Sequence, residues 1–264
     1  MTRLVLIADL HFGREDLGVV AELLTAIKAA RPDIVVVAGD FVQRARRSQF
    51  LPARAFLGEI TGPVFAVPGN HDIPLFNIGA RLLKPRAAFR RWIGEETEPR
   101  WRDAEVSLIG LDTTNRFSRQ SGRVRPAQIE RVCTDIRAAG ERLPVIVAHH
   151  PFHQSPDVAK KLMPDAPKAL AKWAGCGAHL ILSGHVHLFH VEPFIARKKA
   201  GMTLQVHCGT SASTRLRGAA NDFALLDVNG PEVAIRRMIH EPGASFTEAS
   251  RYAFTRTASG WQLS

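Results

Sequence analysis

Short apolar runs rich in β-branched residues alternate with helical patterns along most of this chain, and that alternation constrains its fold more than any other feature. Leu4–Ala8 reads as a buried strand, and the stretch from Asp16 to Ala30 as a helix. Ile34–Ala38 and Gln49–Ile60 repeat the pair, Val64–Val67 supplies a third strand, and a mostly helical, Arg-rich segment runs on through Trp92. The second half resumes with a strand at Val106–Leu111 and a helix over Pro126–Ala139, with proline in its first turn. Strands follow at Val145–Ala148 and Leu180–Leu182, and from Thr203 the pattern turns β-rich, through Leu204–Cys208, Phe223–Val228 and Val233–Ile239. Strand–helix alternation of this kind predicts an α/β fold with a central layered sheet.

The 264 residues suffice for one domain or two small ones. No internal repeat, low-complexity tract or linker interrupts them, so a single domain over 1–264 is expected, with 241–264 an extra β ribbon or a loosely held tail. Hydrophobic residues at 45% and charged residues at 23% are ordinary for a soluble globular protein. The apolar start of the chain is interrupted at once by Asp9, unlike the core of a signal peptide. No stretch approaches the ~20 apolar residues a membrane span needs. A cytoplasmic location, with no membrane partner, is the expectation. The three cysteines, Cys133, Cys176 and Cys208, are far apart and outside any C-x-x-C arrangement, and are expected as free thiols.

The net charge of +10 is concentrated at Arg44/Arg46/Arg47, Arg81 to Arg91, Arg116 to Arg125, Arg197/Lys198/Lys199 and Arg215/Arg217. Such a surplus attracts anions, whether nucleic acid or phosphorylated small molecules. Arginine predominates throughout the chain, so the charge points to an anionic substrate without naming it.

The strand ends carry the chemistry. The first three strands lead into Asp9-Leu10-His11, Gly39-Asp40 and Gly69-Asn70-His71-Asp72. Two later ones lead into His149-His150-Pro151 and Gly184-His185-Val186-His187. In α/β sheets ligand sites form at the carboxyl ends of strands, so these groups are expected to converge. Singly, each piece has a plain explanation: Gly-Asp is most often a turn or helix cap, and Asn-His-Asp after Pro-Gly reads equally as a turn. Together they do not, because six of the eleven histidines fall within these short motifs.

The ordered set D-x-H, G-D, G-N-H-D, H, G-H-x-H, spread from residue 9 to residue 187, resembles the calcineurin-like metallophosphoesterase family. His11-Phe12-Gly13 and Gly-Asn-His-Asp look most like its bacterial cyclic-nucleotide phosphodiesterase-type branch. The resemblance implies a four-layer αββα sandwich, two central mixed β-sheets flanked by helices. It also implies two divalent metal ions, one held by Asp9, His11, Asp40 and His187 and the other by Asp40, Asn70, His149 and His185, with Asp40 shared. Carboxylate, amide and imidazole donors without thiolate suit Mn²⁺, Fe or Zn²⁺. The implied reaction is hydrolysis by water acidified between two ions, with His71 protonating the leaving oxygen and Asp72 orienting His71. His150 is expected to support the ligands from behind.

Weaker candidates are Thr113, Thr114 and Asn115, the amides of Gly209–Ser213, and Arg215 with Arg217; turns or surface positions account for them equally. His153, His179, His190, His207 and His240 lack any motif. The expected activity is a phosphodiesterase acting on cyclic nucleotides or other small phosphodiesters, its partner an anionic small molecule. A nuclease, or a phosphomonoesterase or pyrophosphohydrolase of broad specificity, would use the same metal core; nucleic acid is the less favoured substrate, because no capping domain is evident.

Overall fold

The apolar runs become strands because both of their faces find apolar cover. The computed structural model describes all residues except 155–157, 159, 197–198 and 242, and only the backbone at 192–196 and 199–200. In chain order it contains β1 (Thr2–Ile7), α1 (Leu17–Ala30), β2 (Ile34–Val37), α2 (Arg47–Gly58), β3 (Val64–Ala66), α3 (Ile78–Leu83), α4 (Ala87–Trp92), β4 (Arg100–Arg102) and β5 (Val106–Leu111). There follow α5 (Pro126–Ala138), β6 (Leu143–Ala148), α6 (Ala166–Ala174), β7 (His179–Ser183), β8 (His190–Ala196), β9 (Lys199–His207), β10 (Asp222–Asn229), β11 (Glu232–His240), β12 (Phe246–Thr257) and β13 (Gly260–Leu263).

The strands form two mixed sheets, ordered β13-β12-β11-β10-β1-β2-β3 and β4-β5-β6-β7-β9-β8. β1, β2 and β3 run parallel, as do β5, β6, β7 and β9. In β1, Leu4 and Leu6 enter a cluster shared with Val145, Val147 and Leu182 of the other sheet, while Val5 and Ile7 pack outward with Leu23 and Ile27 of α1. Ile146 and Ile181 pack outward with Val132 of α5 and Trp173 of α6. Strands covered on both sides need continuous apolar runs, which explains their legibility. The result is the expected αββα sandwich.

Local signals set the helix ends. Asp16 caps α1 by accepting from the amides of Gly18 and Val19, at 2.9 and 3.2 Å. The Arg-rich segment resolves into two short helices, α3 and α4. α6 was not anticipated, although Ala166, Ala169, Leu170 and Trp173 bury one face at helical spacing. β12 and β13 are a ribbon integral to the first sheet. β12 pairs with β11 along nearly its whole length, Phe254 and Trp261 are buried, and Trp261 Nε1 donates to the carbonyl of His179 across the sheets at 3.0 Å.

One expectation needs correction. Cys133 of α5 and Cys176, just beyond α6, are joined in a disulfide, with Cα atoms 5.6 Å apart; Cys208 alone is a free, buried thiol. The partners are 43 residues apart, and only the packing of α5 beside α6 brings them together. A bridged pair gives no support to a reducing compartment. Among the described residues no helix is long and apolar enough to cross a membrane.

Candidate active site

Five parallel strands end at one place. β1 leads to Asp9 and His11, β2 to Asp40, β3 to Asn70 and His71, β6 to His149, and β7 to His185 and His187. All are buried except His71, which is half-buried. Asp9, His11, Asp40, His185 and His187 adopt positive φ, at 52°, 49°, 55°, 74° and 60°. For non-glycine residues this costs of order 1–3 kcal/mol each and persists only where the surroundings dictate it. Here backbone hydrogen bonds dictate it: the amide of Asp9 donates to Gly39 O (3.1 Å), that of His11 to Asp40 O (3.0 Å), and that of Gly184 to His149 O (3.1 Å). Gly39, at φ 81°, lets the loops touch, since a Cβ there would stand 2.8 Å from both the Gly69 amide and His149 Nδ1.

The side chains fall into two groups. In the first, Asp9 Oδ1 lies 3.1 Å from His187 Nε2 and 3.4 Å from His11 Nε2, and the two imidazole nitrogens are 3.2 Å apart. In the second, His149 Nε2 lies 3.1 Å from Asn70 Oδ1 and 3.1 Å from His185 Nδ1. Asp40 Oδ2 stands between them, 3.3 Å from His149 Nε2 and 3.7 Å from His11 Nε2. Its Oδ1 accepts from the His71 amide at 2.8 Å.

Burial disfavours charge on both carboxylates, yet His187 and His11 hold Asp9, and His149 and His71 hold Asp40, well below the usual range. Burial draws His11 down to about 4 and pushes His185 well below its ordinary value. Burial opposes a charge on His149 too, but Asp40 outweighs it and lifts the imidazole to about 9. Ionised carboxylates beside mostly neutral imidazoles are what metal binding requires.

A cation fits this arrangement. Facing imidazole nitrogens share at most one proton, and Asp9 Oδ1 is buried without a well-formed hydrogen bond. The opposite nitrogens of two rings are already anchored, His149 Nδ1 at Ala38 O (2.9 Å) and His187 Nδ1 at Arg215 O (3.1 Å), which aims the remaining ones inward.

Asp72 does not orient His71. Its oxygens accept from the amides of Val42 (3.1 Å) and Gly69 (2.8 Å), so it braces the loops, and burial followed by Asp40 raises it well above the carboxylate range. The contact to His71 comes instead from the Gln43 carbonyl, 2.8 Å from Nδ1. His150 has both nitrogens engaged, by Thr113 Oγ1 (2.8 Å) and Gln120 O (3.1 Å), although its ring lies against His185. Thr113, one of the weaker candidates, thus belongs behind the site. Thr114 spends both its amide and its hydroxyl on Asp112 Oδ1, at 2.9 and 2.6 Å.

The Gly209–Ser213 loop spends its groups internally: Gly209 N donates to Asp222 (2.7 Å), Ser211 N to Ala8 O (3.0 Å), and Thr210 Oγ1 to Asp9 O (2.6 Å). It props up Asp9. Arg215 turns into the site, with Nη1 3.1 Å from His11 Nε2, whereas Arg217 is exposed. A cavity of about 200 Å³ opens over the site, lined by Gln43, Arg44, Asn70, His71, Leu75, Arg119, Gln120 and Arg215. Gln43 and Gln120 carry no motif that would have singled them out, whereas Arg44 and Arg119 belong to two of the basic clusters. The side chains of the Arg197/Lys198/Lys199 cluster lie outside the described residues.

Comparison with known proteins places this geometry. The family described as calcineurin-like phosphoesterase matches residues 2–189. A glycerophosphodiester phosphodiesterase, GpdQ, of Enterobacter lignolyticus (strain SCF1) is 48% identical over 42 residues, which is 16% of this chain and 15% of that protein. The structure of PhoD superposes on 99% of this chain and 71% of its own, with a TM-score of 0.74 at 10% identity. The purple acid phosphatase PPD1 from yellow lupin (Lupinus luteus) covers 96% of this chain with a TM-score of 0.72 at 12% identity, and this chain spans 53% of it. The two structures testify to the fold.

Proposed function

The chain belongs to the calcineurin-like phosphoesterase family, whose members hydrolyse phosphoesters with divalent metals, and from that premise we propose that it is a two-metal phosphodiesterase of small phosphodiesters, cyclic nucleotides among them. The observation that carries this reading is Asp40, whose one carboxylate serves two groups of inward-facing donors. Asp9, His11, Asp40 and His187 would hold one ion, and Asp40, Asn70, His149 and His185 the other, with Mn²⁺, Fe or Zn²⁺ suited to the donors. Bound there, the ions supply Lewis acidity toward the phosphoryl group and acidify water. The short likeness to a glycerophosphodiester phosphodiesterase supports diesters over monoesters. Both sheets contribute donors, which supports reading residues 1–264 as one domain.

The chain's own residues supply the rest. The Gln43 carbonyl can only accept and lies nearer to His71 Nδ1 (2.8 Å) than the donor-only Arg44 Nη1 (3.3 Å), so it favours a proton on Nδ1 and leaves Nε2 for the substrate. The His71 amide donates to Asp40 Oδ1, tying the position of this ring to the shared carboxylate. In its protonated form His71 delivers the Nε2 proton to the departing oxygen. Burial lowers its affinity for that proton, against the pull of Asp40, which eases the transfer.

Chromogenic mono- and diesters assayed with and without added Mn²⁺ test the reading. Diesters should turn over faster than monoesters, and only with metal. His71→Ala should keep its metals and lose about 10²–10⁴-fold in turnover. Faster monoester hydrolysis, or near wild-type activity in that variant, would overturn the assignment.

A further inference from the structure

The cavity above the donors is walled by positive charge. Arg44, Arg119 and Arg215 line it, and no acidic side chain does. Among the described residues none of these three guanidinium groups has a carboxylate within ion-pair distance. Arg215 Nη1 stands 3.1 Å from His11 Nε2 and 3.3 Å from Gln43 Oε1. Arg44 Nη1 stands 3.3 Å from His71 Nδ1.

Arg119 is exposed, but it is not a casual surface residue. Asn70 Nδ2 donates to its carbonyl at 3.1 Å, and His150 Nε2 meets the carbonyl of the next residue, Gln120, at 3.1 Å. Behind this loop Arg81 is buried, and its guanidinium donates to the carbonyls of Pro74 (2.8 Å), Asn115 (3.3 Å), Arg116 (2.8 Å) and Ser118. A buried cation spent on four carbonyls holds that loop in one shape. The same residues that build the floor of the site therefore hold the backbone at Arg119, from which its side chain reaches the cavity wall.

Charge accounting then bears on the substrate. Two divalent ions would bring four positive charges, and Asp9 and Asp40 return two. A phosphodiester brings one negative charge and an attacking hydroxide another, which closes the balance before any arginine is counted. Three guanidinium groups are left over around the cavity, where like charges repel.

We propose that Arg44, Arg119 and Arg215 form a clamp that selects phosphodiesters carrying a second phosphate beside the scissile one. The inference rests on the phosphodiesterase reading above and narrows it: a cyclic mononucleotide, with its single charge, satisfies the clamp poorly. Arginine presents a planar fork matched to phosphate oxygens, which suits it to this role. The second phosphate belongs to a compact phosphorylated nucleoside or to the next link of a nucleic-acid strand; the recognising chemistry is the same.

The test compares p-nitrophenyl thymidine 5′-phosphate with the same ester phosphorylated at its 3′ hydroxyl, in the Mn²⁺-loaded enzyme. The doubly phosphorylated ester should have the higher kcat/KM by roughly tenfold or more, chiefly through KM. Arg119→Gln should draw that ratio toward one, and Arg119→Lys should recover part of it. A wild-type ratio at or below one, or an equal ratio in Arg119→Gln, overturns the clamp. Inhibition by a single-stranded oligonucleotide that exceeds inhibition by thymidine 3′,5′-bisphosphate identifies the strand as the source; the reverse identifies the compact molecule.

Should neither ester be cleaved, the phosphodiesterase reading falls and the clamp is decided separately. Inorganic pyrophosphate titrated calorimetrically into EDTA-treated protein should bind roughly tenfold more weakly to Arg119→Gln than to wild type. Equal affinity refutes it.

Discussion

Two sets of buried histidines occupy this chain, and they differ in what their ring nitrogens meet. In the second sheet, His179 has Nδ1 on Gly177 O at 2.9 Å and Nε2 on Thr203 Oγ1 at 3.0 Å. His207 has Nδ1 on Ser183 Oγ at 2.7 Å and Nε2 on His153 O at 3.0 Å. Both rings are matched at both ends. At the strand ends, His149 and His187 are each anchored at Nδ1 by a backbone carbonyl, while Nε2 faces a carboxylate and another imidazole. Burial does not separate the sets, since it lowers His179 and His207 to about 4 and about 3 just as it lowers His11 to about 4. What separates them is the unmatched nitrogen: the structural histidines are satisfied within the protein, and those proposed as metal ligands are half satisfied, with the remainder aimed at a carboxylate and a second imidazole.

The comparison breaks most readily at Asp40, whose Oδ2 faces both His149 Nε2 and His11 Nε2. Asp40→Asn should lower metal-dependent activity by about 10³-fold or more and deplete both ions in elemental analysis. A variant that still retains two metals would show that the two groups are held independently.

His150 sharpens the comparison, because it sits in the site yet is matched at both nitrogens. Thr113→Val removes its Nδ1 partner without touching any inward-facing donor. Loss of such a supporting contact should weaken Mn²⁺ activation by about tenfold, read from activity against metal concentration. An unchanged activation curve would mean that the Gln120 carbonyl and the contact with the His185 ring suffice to hold the ring.

The smallest effect concerns the structural set. His179 and His207 bind protons more weakly folded than unfolded, so the unfolded chain gains protons first on acidification. Stability should therefore be full above about pH 6.5 and fall as pH drops toward 4, by about 1.4 kcal/mol per pH unit for each ring. In His179→Gln the slope between pH 6 and 4.5, measured by denaturant titration, should be shallower by about one such increment. A slope equal to the wild-type one would remove His179 from the acid response.

The architecture was legible because β1, β2, β6 and β7 are buried on both faces and must be written as unbroken apolar runs. α6 was legible in principle, through the spacing of Ala166, Ala169, Leu170 and Trp173, but its pattern is short and follows a loop. The Cys133–Cys176 bridge was not, because it depends on which helices lie side by side. The role of Asp72 was misread for a related reason: adjacency in G-N-H-D suggests contact with His71, whereas consecutive residues at a turn point different ways, and its oxygens reach Gly69 and Val42.

By itself, then, the sequence determined the inventory of the site: which carboxylates, amide and imidazoles follow which strands, in an order that the calcineurin-like family shares. Only the tertiary structure decided how each is used. Left-handed backbone at five of these residues, touching loops at Gly39, and anchors such as Ala38 O and Arg215 O turn particular nitrogens inward. It likewise drew Arg44, Arg119 and Arg215 to one cavity from three distant stretches. The physical reason is that a strand end specifies a residue's place along the chain, while the direction of its side chain depends on hydrogen bonds to segments remote in sequence.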